Sequence, residues 1–224
     1  MSEHTNGEHM VEAFNQLNVN VACIGNNDLA MGLDHAGVLM KKTNCPWVIS
    51  NIVDQSNEGK PICGVSQFEV IEHQGVKFGV VGFAEEALLE QFTPEVDGTK
   101  VEYLDYSDQL EELAQNKLRT EHNCNFIVSL NRLRMMDDIN MAKTFDQETV
   151  DLVLGGNEDM YYRELFDESN VFVQKSGNDF NDFTNVVVLD GVTAEGHETY
   201  MDAIRDKAED IGYDMSKLEV FYSN

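Results

Sequence analysis

The sequence predicts an α/β fold with strands of mixed direction, organised as one domain over residues 1–224. Three observations carry that prediction. Short apolar runs alternate along the chain with segments of helical period. Two of the runs meet at Gln74-Gly75, a hairpin turn signal that makes that pair antiparallel. The second of them, Val76 to Phe83, is apolar at nearly every position, as in a strand buried on both faces. No repeat, low-complexity tract or linker interrupts the 224 residues, a length that can bury a substantial core.

The elements follow in order. "GEHMVEAFNQL" places Met10, Val11, Phe14 and Leu17 on one side of a helix. "VNVACIG" is a short buried strand. "MGLDHAGVLMKKT" is a second helix, whose two closing lysines suit the negative end of the helix dipole. "PWVISNIV" is the next strand, opened by Pro46, with Trp47 as a core residue. The hairpin "SQFEVIEHQGVKFGVVGF" comes next. "SDQLEELAQNKLRTEH" is a helix with Ser107 as its N-cap and Leu110, Leu113, Ala114 and Leu118 on its core face. "NFIVSL" and "VDLVLGG" are strands that flank the helix "MMDDINMAKTF", whose Met135, Met136 and Met141 are assigned to the core. "YYRELF", Tyr161 to Phe166, reads as an edge strand or as an aromatic pair able to stack on a base. "NVFVQKSG", "FTNVVVLDG" and "LEVFYSN" are further strands, and "TAEGHETYMDAIRDKAEDIG" between the last two is a polar helix.

Composition narrows the function. Fifteen basic residues stand against 41 acidic ones, a net charge of -26. That surface repels phosphate backbones and anionic lipid, so no nucleic acid is expected as a partner, and a protein partner should be basic. No run approaches the roughly 18 to 20 apolar residues that cross a bilayer, so no membrane insertion is expected. The N-terminus "MSEHTNGEHM" lacks an apolar leader core, which points to a cytoplasmic location. Cys23, Cys45, Cys63 and Cys124 form no CxxC pair, and Cys23 and Cys124 are expected to be buried thiols. The six histidines, at 4, 9, 35, 73, 122 and 197, do not cluster.

In open α/β folds ligands bind beyond the carboxyl ends of the strands. Four such loops are informative here: "IGNND" ending at Asp28, "SLNRL" at Ser129 to Leu133, "GGNED" at Gly155 to Asp159, and "SGNDFND" ending at Asp182. All carry Asn at the loop mouth and none carries His. The loops and their order resemble the calcineurin-like metallophosphoesterases, in particular their 5'-nucleotidase branch. That family's pattern runs Asp-x-His, Gly-Asp, Gly-Asn-His-Glu/Asp, a strand ending in His, and Gly-His-x-His. "GNND", "SLN" and "GNED" stand for the last three blocks, and "GEHMVEAFNQLNVNVACIGN", "WVISNIV", "GVKFGVVGF" and "VDLVLGG" match the flanking text, over about residues 7 to 190. The first two blocks are not in this sequence. The resemblance therefore implies a metallophosphoesterase-like αββα sandwich with mixed sheets, lacking the first βα unit.

Carried over by position, Asn26 matches the family's metal-binding Asn. Asn27 falls where a His assists the leaving group, and Ala30 where many members hold the acid that orients it. Asn131 and Asn157 fall on metal-binding His positions, and Asp159 on the last of them. Family chemistry clamps a phosphoryl group between two ions about 3.5 to 4 Å apart. An amide oxygen is a poor ligand for the transition ions that imidazole suits, and Asn27 has no proton to exchange near neutral pH. Turn-forming Asn and Asp are also ordinary at such positions.

These residues lead to an expectation of no catalytic residues, no dinuclear centre and no cofactor. The alternative is an all-oxygen Mg or Ca site built from Asn26, Asp28, Asn131, Asn157 and Asp159. In the family, the opening strand lies beside the one that ends here at Gly25. Its loss would leave an exposed sheet edge, to be covered by another polypeptide within a larger complex. The expected function is thus a catalytically inactive phosphoesterase-like domain acting as a structural or interaction subunit, for which a cytoskeletal or ciliary assembly is one setting. The competing functions are an active 5'-nucleotidase-like phosphohydrolase and a nucleotide- or phosphate-binding module without turnover.

Overall fold

The structure is a computed structural model that describes residues 5–91, 100–178, 184, 186–189 and 220–222. The chain divides into two compact units, residues 1–179 and 180–224. In the second unit β12 (Val187–Leu189) pairs in parallel with β13 (Val220–Tyr222), both within predicted strands. The polar helix predicted between them lies outside the described residues.

The first unit is α/β with mixed sheets, as the sequence predicts. Helix α1 (Glu8–Leu17) leads to β1 (Ala22–Cys23) and, after a short 3-10 turn, to α2 (Leu33–Met40). Lys42, just past α2, reaches back to Glu8 at 2.7 Å, and the Phe14 ring of α1 stacks on Trp47 with centroids 5.2 Å apart. "PWVISNIV", expected as one strand, is two: β2 (Trp47–Val48) pairs in parallel with β1, whereas β3 (Ile52–Asp54) belongs to another sheet with β4 (Lys60–Pro61) and β7 (Val101–Tyr103). The break lies at Ser50 and Asn51, whose buried polar side chains replace ladder bonds. Ser50 Oγ accepts from Gly82 N at 3.0 Å, and the Asn51 amide both accepts from Ala84 N and donates to its carbonyl, at 3.1 and 2.8 Å. A buried amide that copies a backbone pairing leaves no polar group stranded.

The hairpin forms where the sequence places it. β5 (Phe68–His73) and β6 (Val76–Ala84) are antiparallel, with positive φ at Gln74 (53°) and Gly75 (84°), as a tight hairpin turn of matching twist requires. They close one side of a six-stranded sheet ordered β10-β11-β9-β8-β6-β5. β8 (Phe126–Arg132), β9 (Leu152–Gly155) and β11 (Val171–Ser176) run parallel to β6, and β10 (Tyr161–Phe166) is the opposite, antiparallel edge. The edge assignment of "YYRELF" therefore holds: Tyr162 and Phe166 pack on the core while Tyr161 is exposed.

Helix α3 (Tyr106–Glu112) runs into a π-helical stretch, Leu113–Arg119, and its predicted core face of Leu110, Leu113, Ala114 and Leu118 is buried. Its N-cap is Asp105, not Ser107: Asp105 Oδ1 accepts from the backbone N–H of Ser107 at 2.8 Å, so Ser107 is a capped residue and not the cap. In α4 (Met135–Thr144) Met141 is buried, but Met136 faces solvent at 59% exposure, against its assignment to the core. The buried face is set instead by Asp138, Ile139, Met141 and Ala142. Cys124 is buried as expected, and Cys23 is half-buried. Its thiol is pushed up to about 12, by burial first and then by Asp28.

Replacing Asp105 with Ala should lower stability by about 1 kcal/mol, whereas Ser107→Ala should change it by no more than a few tenths, as read by urea unfolding. Equal losses from the two changes would return the cap to Ser107.

Candidate functional site

The carboxyl ends of β8 and β9, beside β11, bring two of the informative loops together, "SLNRL" and "GGNED". Across these parallel strands Asn131, Gly155 and Lys175 are register partners, so the three lie in one row. Gly155 leaves a gap in the middle of that row. The carboxylate of Asp138, from α4, enters it: a Cβ on Gly155 would stand 2.3 Å from Asp138 Oδ2 and 2.8 Å from Lys175 Nζ.

A continuous polar chain results. Ser129 Oγ donates to Asn131 Oδ1 at 2.6 Å, Asn131 Nδ2 donates to Asp138 Oδ1 at 2.8 Å, and Asp138 Oδ2 faces Lys175 Nζ at 2.8 Å. Lys175 Nζ also meets Glu158 Oε2 at 2.9 Å and donates to the carbonyls of Gly156 at 2.6 Å and Leu133 at 3.3 Å. Both oxygens of Glu158 lie 2.9 Å from the N–H of Met135, the first residue of α4, where an unpaired donor and the positive helix end favour a carboxylate. Lys175 is 1% exposed and Asp138 is fully buried.

Burial pushes the Asp138 carboxyl up to about 6, against the pull of Lys175 and Asn131. Burial also works to raise Glu158, but the Met135 N–H and Lys175 hold it below the usual carboxylate range. At the mouth of the same loops Glu85 pairs with Arg132 and, at 3.0 Å, with Arg134, and accepts from Asn157 Nδ2 at 3.4 Å.

The residues singled out from the sequence divide between two places. Asn131 is buried in the polar chain. Asn157, with φ of 73°, lies in the adjoining loop and is exposed, as is Asp159. Asn26, Asn27, Asp28 and Ala30 belong to the turn after β1. There Asp28 Oδ2 accepts from Gly25 N at 2.7 Å and burial raises its carboxyl, while Asn27 and Ala30 are exposed. Asn26 Oδ1 is buried with no partner among the described residues. Asn178, of the fourth loop, is described; that loop otherwise runs beyond the described residues.

The dinuclear centre implied by the resemblance does not fit this arrangement. Asn131 spends both ends of its amide inside the protein, and the two carboxylates nearest it already face an ammonium. Among the described residues no group of three or more His, Cys, Asp or Glu side chains converges to hold a metal.

The sequence reading missed Lys175, Asp138, Glu158 and Glu85. Two signals were present. Lys175 is in phase with Val171 and Val173 on a strand buried on both faces, and Asp138 shares a helix face with Met141, Ala142 and Phe145.

This architecture is that of the calcineurin-like phosphoesterases and 5'-nucleotidases. A putative 5'-nucleotidase from Staphylococcus aureus, solved in complex with alpha-ketoglutarate, superposes with a TM-score of 0.64 at 14% identity, over 79% of this chain and 36% of its own. A 5'-nucleotidase precursor from Thermus thermophilus gives 0.65 at 14% identity over the same shares. The calcineurin-like phosphoesterase YfkN from Bacillus subtilis gives 0.63 at 16% identity, over 75% of this chain and 57% of its own. At such identities the likeness is one of fold, and this chain spans about a third of the length of the two nucleotidase structures. No family model matches the sequence, and no curated protein sequence is significantly similar to it.

Gly155→Ala should destabilise the protein by about 3 kcal/mol in denaturant unfolding, because the added methyl displaces a buried ion pair and not a movable apolar side chain. A loss under about 1 kcal/mol would mean that the row at Gly155 is loosely packed.

Asp138 also sets a pH dependence. Its folded value, about 6, lies above its ordinary 3.8, so its contribution to stability is complete below about pH 4 and is lost as pH rises through 6. Asp138→Asn should flatten the stability–pH curve in that window, measured by unfolding at a series of pH values. A slope unchanged by the substitution would assign the titration elsewhere.

Proposed function

We propose that this chain is a catalytically inactive member of the metallophosphoesterase and 5'-nucleotidase fold that serves as a structural or interaction subunit of a protein assembly in the cytoplasm. The observation that carries the reading is the state of the loop cluster. The amide at 131 is consumed by Ser129 and Asp138, and the cation between the two nearest carboxylates is a lysine of the chain itself. No proton donor stands at Asn27 or Ala30, both of which face solvent. A hydrolytic mechanism would need a group at this place that releases and takes up a proton and a site that receives the phosphoryl oxygens. The side chains at Asn27 and Ala30 cannot exchange a proton near neutral pH, and Asp138 is sealed from solvent, which supports the inactive reading.

The assembly role has two supports. β1 pairs with β2 alone among the described residues, which agrees with a sheet edge that lacks its neighbouring strand. The net charge of -26 favours a basic partner surface and disfavours nucleic acid. Among the described residues no helix is long and apolar enough to cross a membrane.

The test is direct. The purified chain, assayed on nucleoside monophosphates with Mn, Mg, Co and Zn each added, should show no turnover above the buffer control. Elemental analysis should find no stoichiometric metal. Light scattering should show self-association, or a shift to a defined complex when a basic partner is supplied. Metal-dependent phosphate release that Asp159→Ala abolishes would favour the phosphohydrolase, and calorimetric binding of a nucleotide without release would favour the binding module.

A further inference from the structure

We infer that Lys175 is a built-in replacement for a metal ion: its ammonium is the resident cation of an all-oxygen cage and closes that cage to divalent metals. The inference deepens the proposed function and rests on it in one respect, that the loop cluster works without metal.

The argument begins with the cage. Nζ of Lys175 is surrounded by four oxygens: Asp138 Oδ2 at 2.8 Å, Glu158 Oε2 at 2.9 Å, and the carbonyls of Gly156 at 2.6 Å and Leu133 at 3.3 Å. Two carboxylates and two carbonyls are a donor set that suits a hard divalent cation. Three of the four distances, however, exceed the 2.3–2.6 Å that calcium takes, and the two carboxylate contacts match ammonium–oxygen ion pairs. Bare, the cage would hold the fully buried Asp138 carboxyl and the Glu158 carboxylate, whose side chain is 35% exposed. A cation between them offsets the burial of the first and pairs the second.

The ammonium also does mechanically what a bound ion would do. It joins the loop after β8 through Leu133, the loop after β9 through Gly156 and Glu158, and α4 through Asp138 at one point, beside the bonds Met135 N makes to Glu158 and Asn131 makes to Asp138. Two of these loops, "SLNRL" and "GGNED", are those in which the resemblance places metal ligands. A covalently attached cation gives the crossing a fixed stoichiometry and removes any dependence on metal supply. Lysine suits the task because its charge sits at the end of an unbranched stem, which can lie in a strand row and still reach the loops.

The test exchanges the cation. The 224-residue chain is compared as wild type, Lys175→Ala, Lys175→Met, and the double variant Lys175→Ala/Asp138→Asn, each melted in chelator-treated buffer and again with calcium, magnesium or manganese chloride. Lys175→Ala should melt about 10 °C below wild type without metal and recover at least half of the loss with calcium. Lys175→Met fills the space without charge and should melt low with no recovery. The double variant should melt above Lys175→Ala in metal-free buffer and lose the calcium response, because the buried carboxylate that a cation would pair is gone. Wild type should show no site-specific calcium effect.

Should Lys175→Ala fail to fold without metal, refolding in calcium and not in chelator supports the inference. The double variant remains the independent measurement. A Lys175→Ala protein that melts with wild type, or one that stays low in all three metals, overturns it. So does a Lys175→Met protein that calcium restores. Wild-type phosphohydrolase activity would defeat the inactive reading without touching these melting differences, so the two failures are separable.

Discussion

A single buried positive charge organises the loop end of this molecule. The ammonium of Lys175 is removed from water, and so is the carboxylate of Asp138 beside it. Desolvating both costs several kcal/mol per ion, which Coulombic attraction offsets only where the remaining hydrogen bonds are also made. Here most of them are made. Asp138 Oδ1 accepts from Asn131, and Lys175 donates to two carbonyls and pairs with Glu158, while Asp138 Oδ2 faces the ammonium at 2.8 Å as an ion pair with no hydrogen-bond partner among the described residues. The arrangement leaves little tolerance. Gly155 must lack a side chain, Asn131 must point its amide nitrogen at the helix, and α4 must begin where Met135 N can hold Glu158. These requirements come from charge burial, and they fix loops that no strand or helix ladder would fix.

Much of the fold could be read in the sequence because it rests on periodicity. The Gln74-Gly75 hairpin, the buried β6 and the leucine face after α3 all follow from apolar residues at spacings of two or three to four, which local geometry turns directly into elements. The elements that could not be read depend on partners distant in the chain. β7 has three residues and exists because β3 offers it an edge. "PWVISNIV" contains no breaker, yet it divides at Ser50 and Asn51 because their side chains bond to β6, more than 30 residues away. The cap of α3 was displaced by two residues, since Asp and Ser are both good caps and only the backbone decides which of them is extended.

The candidate site shows the same limit more sharply. That Asn131 stands at the end of a strand and Asn157 in the loop just beyond one was legible. The replacement was hidden by ordinary expectation. A lysine near the end of "VFVQK" passes for the solvent end of a strand, and "DD" at the start of α4 passes for dipole-compensating charge. Asp137 and Asp138 differ by one helical step, which leaves the first half-buried and the second fully buried in the first turn of α4. Phase alone separates them, and phase becomes decisive only when the helix is known to lie across β9 and β11.

The amides and the lysine have complementary roles. An imidazole left without its metal would carry a ring nitrogen with no partner in a buried place, and would titrate near neutrality. Asparagine at 131 supplies one acceptor and two donors with no titration, and the chain uses the acceptor for Ser129 and a donor for Asp138. The negative charge that remains, on Asp138 and Glu158, is met by a cation that cannot dissociate. In a protein with a net charge of -26, where the surrounding field favours uptake of any mobile cation, attachment of the positive charge to the backbone is what makes the cluster's composition independent of the solution around it. A loop end tied in this way would keep its geometry whatever ions surround it, which is what the proposed role as a structural subunit requires.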